Sequence, residues 1–287
     1  MIRTLNEADL IATCLDTLRR QRSGRDVDIL VVDSGSTDGT VDIARSQGAR
    51  VTELAPDDFD YSKALNLGIG EVDGELAISL SAHAIPLDDG WLERMAAPFE
   101  DPRVAGVTSR QVPWPDAPWR EVQRLERMFG PDRRVHSAGD AAGLVFSNAA
   151  SCVRRSVWTD HPFTLPAAED QEWAERVLAA GFTVVYEPNA AVYHSHHEGP
   201  RAQARRLIDI NKVRSAAEPR TLRRTLREAA GLLYRDGSSI VALDESPRRK
   251  AVHLADLLCM VGYYVVDFSR AGTTAERRRE DSPLPTG

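Results

Sequence analysis

Apolar positions along the first half of the chain switch repeatedly between two periods. Leu10, Ile11, Cys14, Leu15 and Leu18 recur at helical spacing and end at Arg19 and Arg20, which predicts an amphipathic helix starting near Asn6. Asp28–Val32 is short, apolar and β-branched, as a buried strand would be. The turn-rich stretch Asp33-Ser34-Gly35-Ser36-Thr37-Asp38-Gly39-Thr40 follows, and helical spacing resumes through Arg45. The cycle repeats with strands near 50–54, 76–80 and 104–109 and helices near 62–67 and 91–99. Such alternation predicts an α/β domain with a mostly parallel sheet covered on both faces.

Arg110–Gly143, rich in Pro and Arg, predicts a long excursion with one helix over Glu121–Met128. A strand over Leu144–Ser147, a helix from Glu169 to Ala180 closed by Gly181, and a strand pair at 183–186 and 191–194 complete the domain. From 201 to 268 the pattern is helical, and Glu276–Gly287 has the composition of a disordered tail. The expected organisation is an α/β domain over 1–198, a helical region over 199–270 and a tail over 271–287.

Composition narrows the class. The 287 residues are 42% hydrophobic and 28% charged, which excludes collagen, coiled coil and wholesale disorder. A formal charge of −7 argues against a nucleic-acid partner. From Gly199 onward, however, 17 basic residues face 11 acidic ones, so an acidic body carries a basic tail. Cys14, Cys152 and Cys259 are scattered, odd in number and without a CxxC pair, which predicts neither disulfides nor a cysteine zinc site and suits a reducing cytoplasm. Met1 runs almost directly into polar residues, so no signal peptide is expected. Ala251–Phe268 contains His253, Asp256 and Asp267, too short and charged for a comfortable span, and predicts a buried or interface helix. Arg201, Arg205, Arg206, Arg214, Arg220, Arg223, Arg224 and Arg227 mark solvent-facing helices. They also suit an anionic acceptor, a homodimer through the C-terminal helices, or weak peripheral contact with the inner face of a membrane.

In open α/β sheets ligands bind beyond the carboxyl ends of the strands. Two such places are chemically unusual. The loop from Asp33 is dense in Ser, Gly and Asp; alone it reads equally as a plain turn in which Asp38 caps the next helix. An aspartyl-phosphatase loop also ends in DGT, but that chemistry needs a second carboxylate where Gly35 stands, and is excluded. After the 76–80 strand comes Ser81-Ala82-His83-Ala84-Ile85-Pro86, in which His83 is the metal-ligand candidate. In Tyr193-His194-Ser195-His196-His197, extended backbone puts His194 and His196 on one side and turns His197 away. Imidazoles suit Mn²⁺ or a softer metal better than Mg²⁺. The competing reading is a solvated, histidine-rich loop.

Arg3-Thr4-Leu5-Asn6-Glu7, Val31–Thr40 and Ala168-Glu169-Asp170-Gln171-Glu172-Trp173 stand in the order and spacing of the motifs of family-2 glycosyltransferases, which the chain resembles over about residues 2–198. The resemblance implies the GT-A fold, a Rossmann-like nucleotide-diphospho-sugar transferase fold, here with a C-terminal helical extension. It implies an inverting, hexosyltransferase-like enzyme that moves sugar from a UDP- or dTDP-sugar donor to a saccharide, lipid-linked or small-molecule acceptor. By the same resemblance Asp33 would accept the imide N–H of the base, Arg3, Asn6 and Glu7 would flank base and ribose, and Ser34, Gly35, Ser36 and Asp38 would complete the nucleotide loop. Lys63 and Asn66 would lie under the donor pocket, although Lys63 also reads as a surface lysine, and Asn148 would touch the sugar. Asp170 would be the general base, with Glu169 the alternative and Trp173 on the acceptor side. Acidic enrichment in a helix's first turn is the plain reading of that segment. His83 with His194 or His196 would hold one divalent metal, Mn²⁺ or Mg²⁺, against the diphosphate. Two departures stand out. The usual Asp-x-Asp is replaced by Ser81-Ala82-His83, which keeps open a non-catalytic, nucleotide-sugar-binding relative. Only Ile2 precedes Arg3, so the first strand is abnormally short or begins upstream.

Overall fold

A computed structural model describes residues 1–140, 143–196, 198–214 and 221–280. The chain divides into two compact units, Met1–His196 and His197–Gly287. The first opens with β1 (Ile2–Thr4), α1 (Ala8–Arg19), β2 (Leu30–Asp33), α2 (Thr40–Ser46) and β3 (Arg50–Glu53). Next come α3 (Tyr61–Gly70), β4 (Leu76–Ser81), β5 (Ile85–Pro86), α4 (Trp91–Ala96) and β6 (Val104–Val112). It closes with α5 (Trp119–Met128), β7 (Arg134–His136), β8 (Ala150–Arg154), α6 (Arg155–Asp160), α7 (Glu169–Ala179) and β9 (Thr183–Tyr193).

The strands form one nine-stranded sheet in the order β3-β2-β1-β4-β8-β6-β9-β5, with β7 pairing β9. The expectation of a mostly parallel sheet needs correction. β3, β2, β1 and β4 are parallel, but β8 lies antiparallel between β4 and β6, and β5 and β7 run antiparallel to β9. β8 was not predicted. The apolar run Leu144–Ser147 suggested a strand, but it buries Val145 and Phe146 without pairing, and the ladder begins at Ala150. The expected strand pair near the end of the domain is a single strand, β9, whose pairing with β6 slips between Ser109 and Arg110. Helix α6 was also unpredicted, being too short to show a period.

Strand alternation sends side chains to two cores, one on each face of the sheet. Val31, Leu80, Val107 and Val185 pack with Ile11, Cys14, Leu15 and Trp91 of α1 and α4. Leu30, Val32, Ala77, Ala105 and Val184 pack with Leu65, Ile69, Trp173 and Val177 of α3 and α7. The second core sets the position of α7. A Cβ on Gly106 would lie 2.8 Å from the Trp173 ring and 2.9 Å from Phe146, so only glycine lets the helix seat this close to β6.

The second unit contains α8 (Pro200–Arg214), α9 (Leu222–Ala242) and α10 (Pro247–Glu280). Ala204, Ile208, Ala229, Ile240, Leu257, Met260 and Tyr264 are buried. The tail was expected from 271, yet α10 continues to Glu280; residues 281–287 lie outside the described residues. Among the described residues no helix is long and apolar enough to cross a membrane.

Substituting Gly106→Ala should lower stability by about 1–3 kcal/mol through overpacking against Trp173. Denaturant unfolding measures this, and an unchanged midpoint would mean that α7 has slack against the sheet.

Candidate functional site

The site is organised by the five residues Arg3–Glu7. β1 sits between β2 and β4, with Arg3 opposite both Val32 and Ser81 and Thr4 opposite Asp33. Its carboxyl end therefore emerges between the loop after β2 and the loop after β4, the place where such sheets bind ligands. Ser34 N–H donates to the Thr4 carbonyl (3.0 Å) and Ala82 N–H to the Arg3 carbonyl (2.9 Å). Asn6 adopts a left-handed conformation, φ 54°, which asparagine tolerates better than most residues. There its N–H donates to Ser36 Oγ (2.8 Å) and its Oδ1 accepts from Thr37 N–H (2.8 Å).

Asp33 is 1% exposed and spends its carboxylate on its own loop, accepting from Gly35 N–H (2.9 Å), Ser36 N–H (2.8 Å) and the Ser36 hydroxyl. A carboxylate offers roughly four acceptor positions, so this geometry leaves about one for a ligand. Gly35 is required at φ 96°, where a Cβ would sit 2.5 Å from Pro56. Asp38 takes the capping role: Oδ1 accepts from Thr40 N–H (3.0 Å) and Oδ2 from Ala8 N–H (3.1 Å), tying the starts of α1 and α2 together. The Thr40 hydroxyl, ahead of the backbone donors, holds the Asp38 carboxyl below its usual range.

The histidines converge from two loops. His83, His194 and His196 offer ligand nitrogens that all lie within 4.8 Å of one another. His83 Nε2 is 3.1 Å from His194 Nε2, in rings stacked at 4.9 Å, and His196 meets both edge-on. Each is held from behind. Glu7 Oε1 accepts from His83 Nδ1 (2.6 Å) and Gln111 Oε1 from His194 Nδ1 (2.8 Å), while at His196 it is the backbone N–H that donates to Glu121 Oε1 (3.4 Å). A carboxylate cannot donate, so the proton of neutral His83 is on Nδ1 and its lone pair on Nε2, towards the other imidazoles. This donor set fits a divalent transition cation. His197 lies outside the described residues.

The third group is acidic. Glu169 and Asp170 open α7, where backbone N–H groups favour negative charge. Asp170 is half-buried, and its Oδ1 accepts from Gln171 N–H (2.8 Å). Glu169 is 5% exposed, and its carboxyl is pushed up to about 7 by burial first and by the Asp170 charge second, with the Arg3 charge and Asn148 opposing. Asn148 Nδ2 donates to Glu169 Oε1 (3.2 Å), and the Asn148 carbonyl accepts from Arg3 Nη2 (3.2 Å). Arg3 lies 5.3 Å over the Tyr61 ring, and its buried Nε has no partner among the described residues.

Three expected ligand contacts turn inward, and Lys63 lies at the surface. Asn148 is 1% exposed and braces Glu169. Trp173 is fully buried against Phe146 and Phe163 and donates to the His161 carbonyl. Asn66 spends its amide on Trp158 Nε1 and on the backbone N–H and carbonyl of Phe163. Lys63 is exposed and pairs with Asp60 at 3.4 Å. Conversely, Gln111, Glu121 and Tyr61 were missed. The end of β6 beside the end of β9 was the signal for Gln111, while Glu121 and Tyr61 carried none.

The model of "Glycosyl transferase family 2" matches residues 1–158. The O-antigen chain rhamnosyltransferase RfbN of Salmonella typhimurium is 31% identical over 219 residues, covering 73% of this chain and 69% of that protein. Among solved structures, the Mycobacterium tuberculosis glucosyl-3-phosphoglycerate synthase with Mn²⁺, UDP-glucose and phosphoglyceric acid superposes with a TM-score of 0.57 at 17% identity, over 77% of this chain and 79% of that one. The Pyrobaculum calidifontis mannosyltransferase with GDP-mannose and Mn²⁺ gives 0.54 at 17%, over 99% and 75%. The fold is thus that of the GT-A nucleotide-sugar transferases. With a family match over more than half its length and a relative 31% identical over 73% of it, the chain belongs to glycosyl transferase family 2 and is a glycosyltransferase.

Proposed function

We propose that the chain transfers a sugar, with inversion, from a UDP- or dTDP-sugar to an acceptor hydroxyl, with Asp170 as general base. One observation carries the reading: the segment Arg3–Glu7 bonds to the nucleotide loop, contacts the histidine cluster and connects through Asn148 to the acid pair. The named activity of RfbN supports a rhamnosyl donor and a glycan acceptor.

The donor diphosphate would lie between Arg3 and the histidines, its base against the Asp33 loop. A divalent cation held by His83, His194 and His196 would supply neutralisation of the departing diphosphate. Asp170, the more accessible acid, would take the acceptor proton as the acceptor oxygen bonds to the anomeric carbon and the bond from that carbon to the diphosphate oxygen breaks on the opposite face. Glu169 stays behind it, buried and bonded to Asn148. Around neutrality it is part-protonated, which limits repulsion between adjacent carboxylates.

Glu169 makes stability depend on pH. Its carboxyl is raised in the folded protein from an ordinary 4.5 to about 7, so between these values the native state keeps a proton that the unfolded chain has released. Stability from this group is present at low pH and declines as pH rises through that window.

Turnover of dTDP-rhamnose and a panel of UDP-sugars, read as release of nucleoside diphosphate in the presence of Mn²⁺, tests the activity. Asp170→Asn should cut turnover about 100- to 10,000-fold at saturating donor while leaving donor affinity in place; unchanged turnover would remove Asp170 as base. Glu169→Gln should abolish the stability loss between pH 5 and 7 and exceed wild type above pH 7 by at most about 3 kcal/mol. Thermal unfolding of the two proteins across that range measures it, and parallel curves would contradict the assignment.

A further inference from the structure

The resemblance assigns Glu7 to the nucleotide, but its carboxylate faces elsewhere. Glu7 Oε1 lies 2.6 Å from His83 Nδ1, and both side chains are about one-fifth exposed, 22% and 21%. Its backbone is fixed independently, the N–H donating to Thr40 Oγ1 (2.8 Å) at the start of α2. The preceding Asn6 is held in its left-handed turn by Ser36 and Thr37. Glu7 is therefore anchored on one side to the nucleotide loop and applied on the other to a single imidazole nitrogen.

From this geometry we infer that Glu7 is a positioning residue for the cation: it locks His83 in the Nδ1–H tautomer, so that the Nε2 lone pair is presented to the space shared with His194 and His196. The inference rests on the metal reading above. An imidazole can coordinate through only one nitrogen at a time here, and the partner on the other nitrogen decides which. Without an acceptor at Nδ1 the ring is free to place its proton on Nε2, beside His194 Nε2 at 3.1 Å, and to donate into the cluster instead of coordinating. Ser81 Oγ, 3.2 Å from both ring nitrogens, does not discriminate between them; His194 Nε2, an acceptor when its Nδ1–H goes to Gln111, draws the proton to His83 Nε2, and Glu7 is the acceptor that opposes it. A hydrogen-bonded carboxylate also raises the basicity of the imidazole it supports. Because Glu7 and Asn6 are fastened to the loop from Asp33, order in the nucleotide loop and order at His83 share one short piece of backbone.

The test uses the full-length protein and Co²⁺ alone, whose visible absorption reports imidazole coordination without any turnover. His83→Ala and His194→Ala should lose the absorption band. Glu7→Ala should weaken Co²⁺ binding about 10- to 100-fold, while Glu7→Gln, which keeps an acceptor oxygen at the same place, should stay within about threefold of wild type. A Glu7→Ala protein that binds Co²⁺ like wild type, while the histidine variants do not, would overturn the positioning role and leave the metal reading standing. Histidine variants that bind like wild type would overturn both. A second measurement needs no variant: side-chain ¹⁵N NMR of the metal-free wild type should show His83 protonated on Nδ1, and an Nε2–H tautomer would overturn the inference.

Discussion

Everything at the rim of the sheet depends on where β1 ends. Three residues of strand, wedged between β2 and β4, fix the backbone of Arg3 to both neighbours and that of Thr4 to β2, and the next three residues then have little freedom. Asn6 must turn left-handed, Glu7 must point at His83, and Arg3 must reach Asn148. The Asp33 loop, the histidine cluster and the acid pair come from distant parts of the sequence, and this segment links them.

The chemistry of the site follows from which charges are absent. With Ser81-Ala82-His83 after β4, the candidate ligand atoms brought together are imidazole nitrogens, which add no negative charge, so a divalent cation held there would keep its charge for a diphosphate. Negative charge is kept behind the histidines, on Glu7 and Glu121, and across the site at the start of α7. Arg3 stands between these regions, over Tyr61, where it lowers the cost of ionising Glu169. Buried supports such as Gln111 and Asn148 give the groups in front of them a fixed direction.

Much of this was legible in the sequence, for physical reasons that differ by element. Helix α1 and strand β2 announced themselves because each buries one face or both, and burial imposes a period. His83 and His194 could be paired in advance because strand ends of an α/β sheet converge on one rim. β8 stayed hidden because its short segment, with Ser151 and Arg154, looks polar until antiparallel neighbours supply the ladder. Asn66, Asn148 and Trp173 were given to the ligand because motif position says nothing about depth; all three turn inward, Asn66 to Trp158 and the Phe163 backbone, Asn148 to Glu169 and Trp173 into the core. Glu7 was expected at the nucleotide, whereas its carboxylate meets His83; the left-handed turn at Asn6 that directs it leaves no mark in a pattern of apolar and polar positions.

On the proposed reading, one diphosphate and one cation would be held together at the end of β1. Crystals grown with Mn²⁺ and a nucleoside diphosphate, with diffraction recorded near the manganese absorption edge, test it most directly. The expected result is one anomalous peak in bonding contact with Nε2 of His83 and of His194, with diphosphate oxygens completing the coordination and Arg3 beside them. A peak elsewhere, or a diphosphate bound away from the histidines, would contradict it.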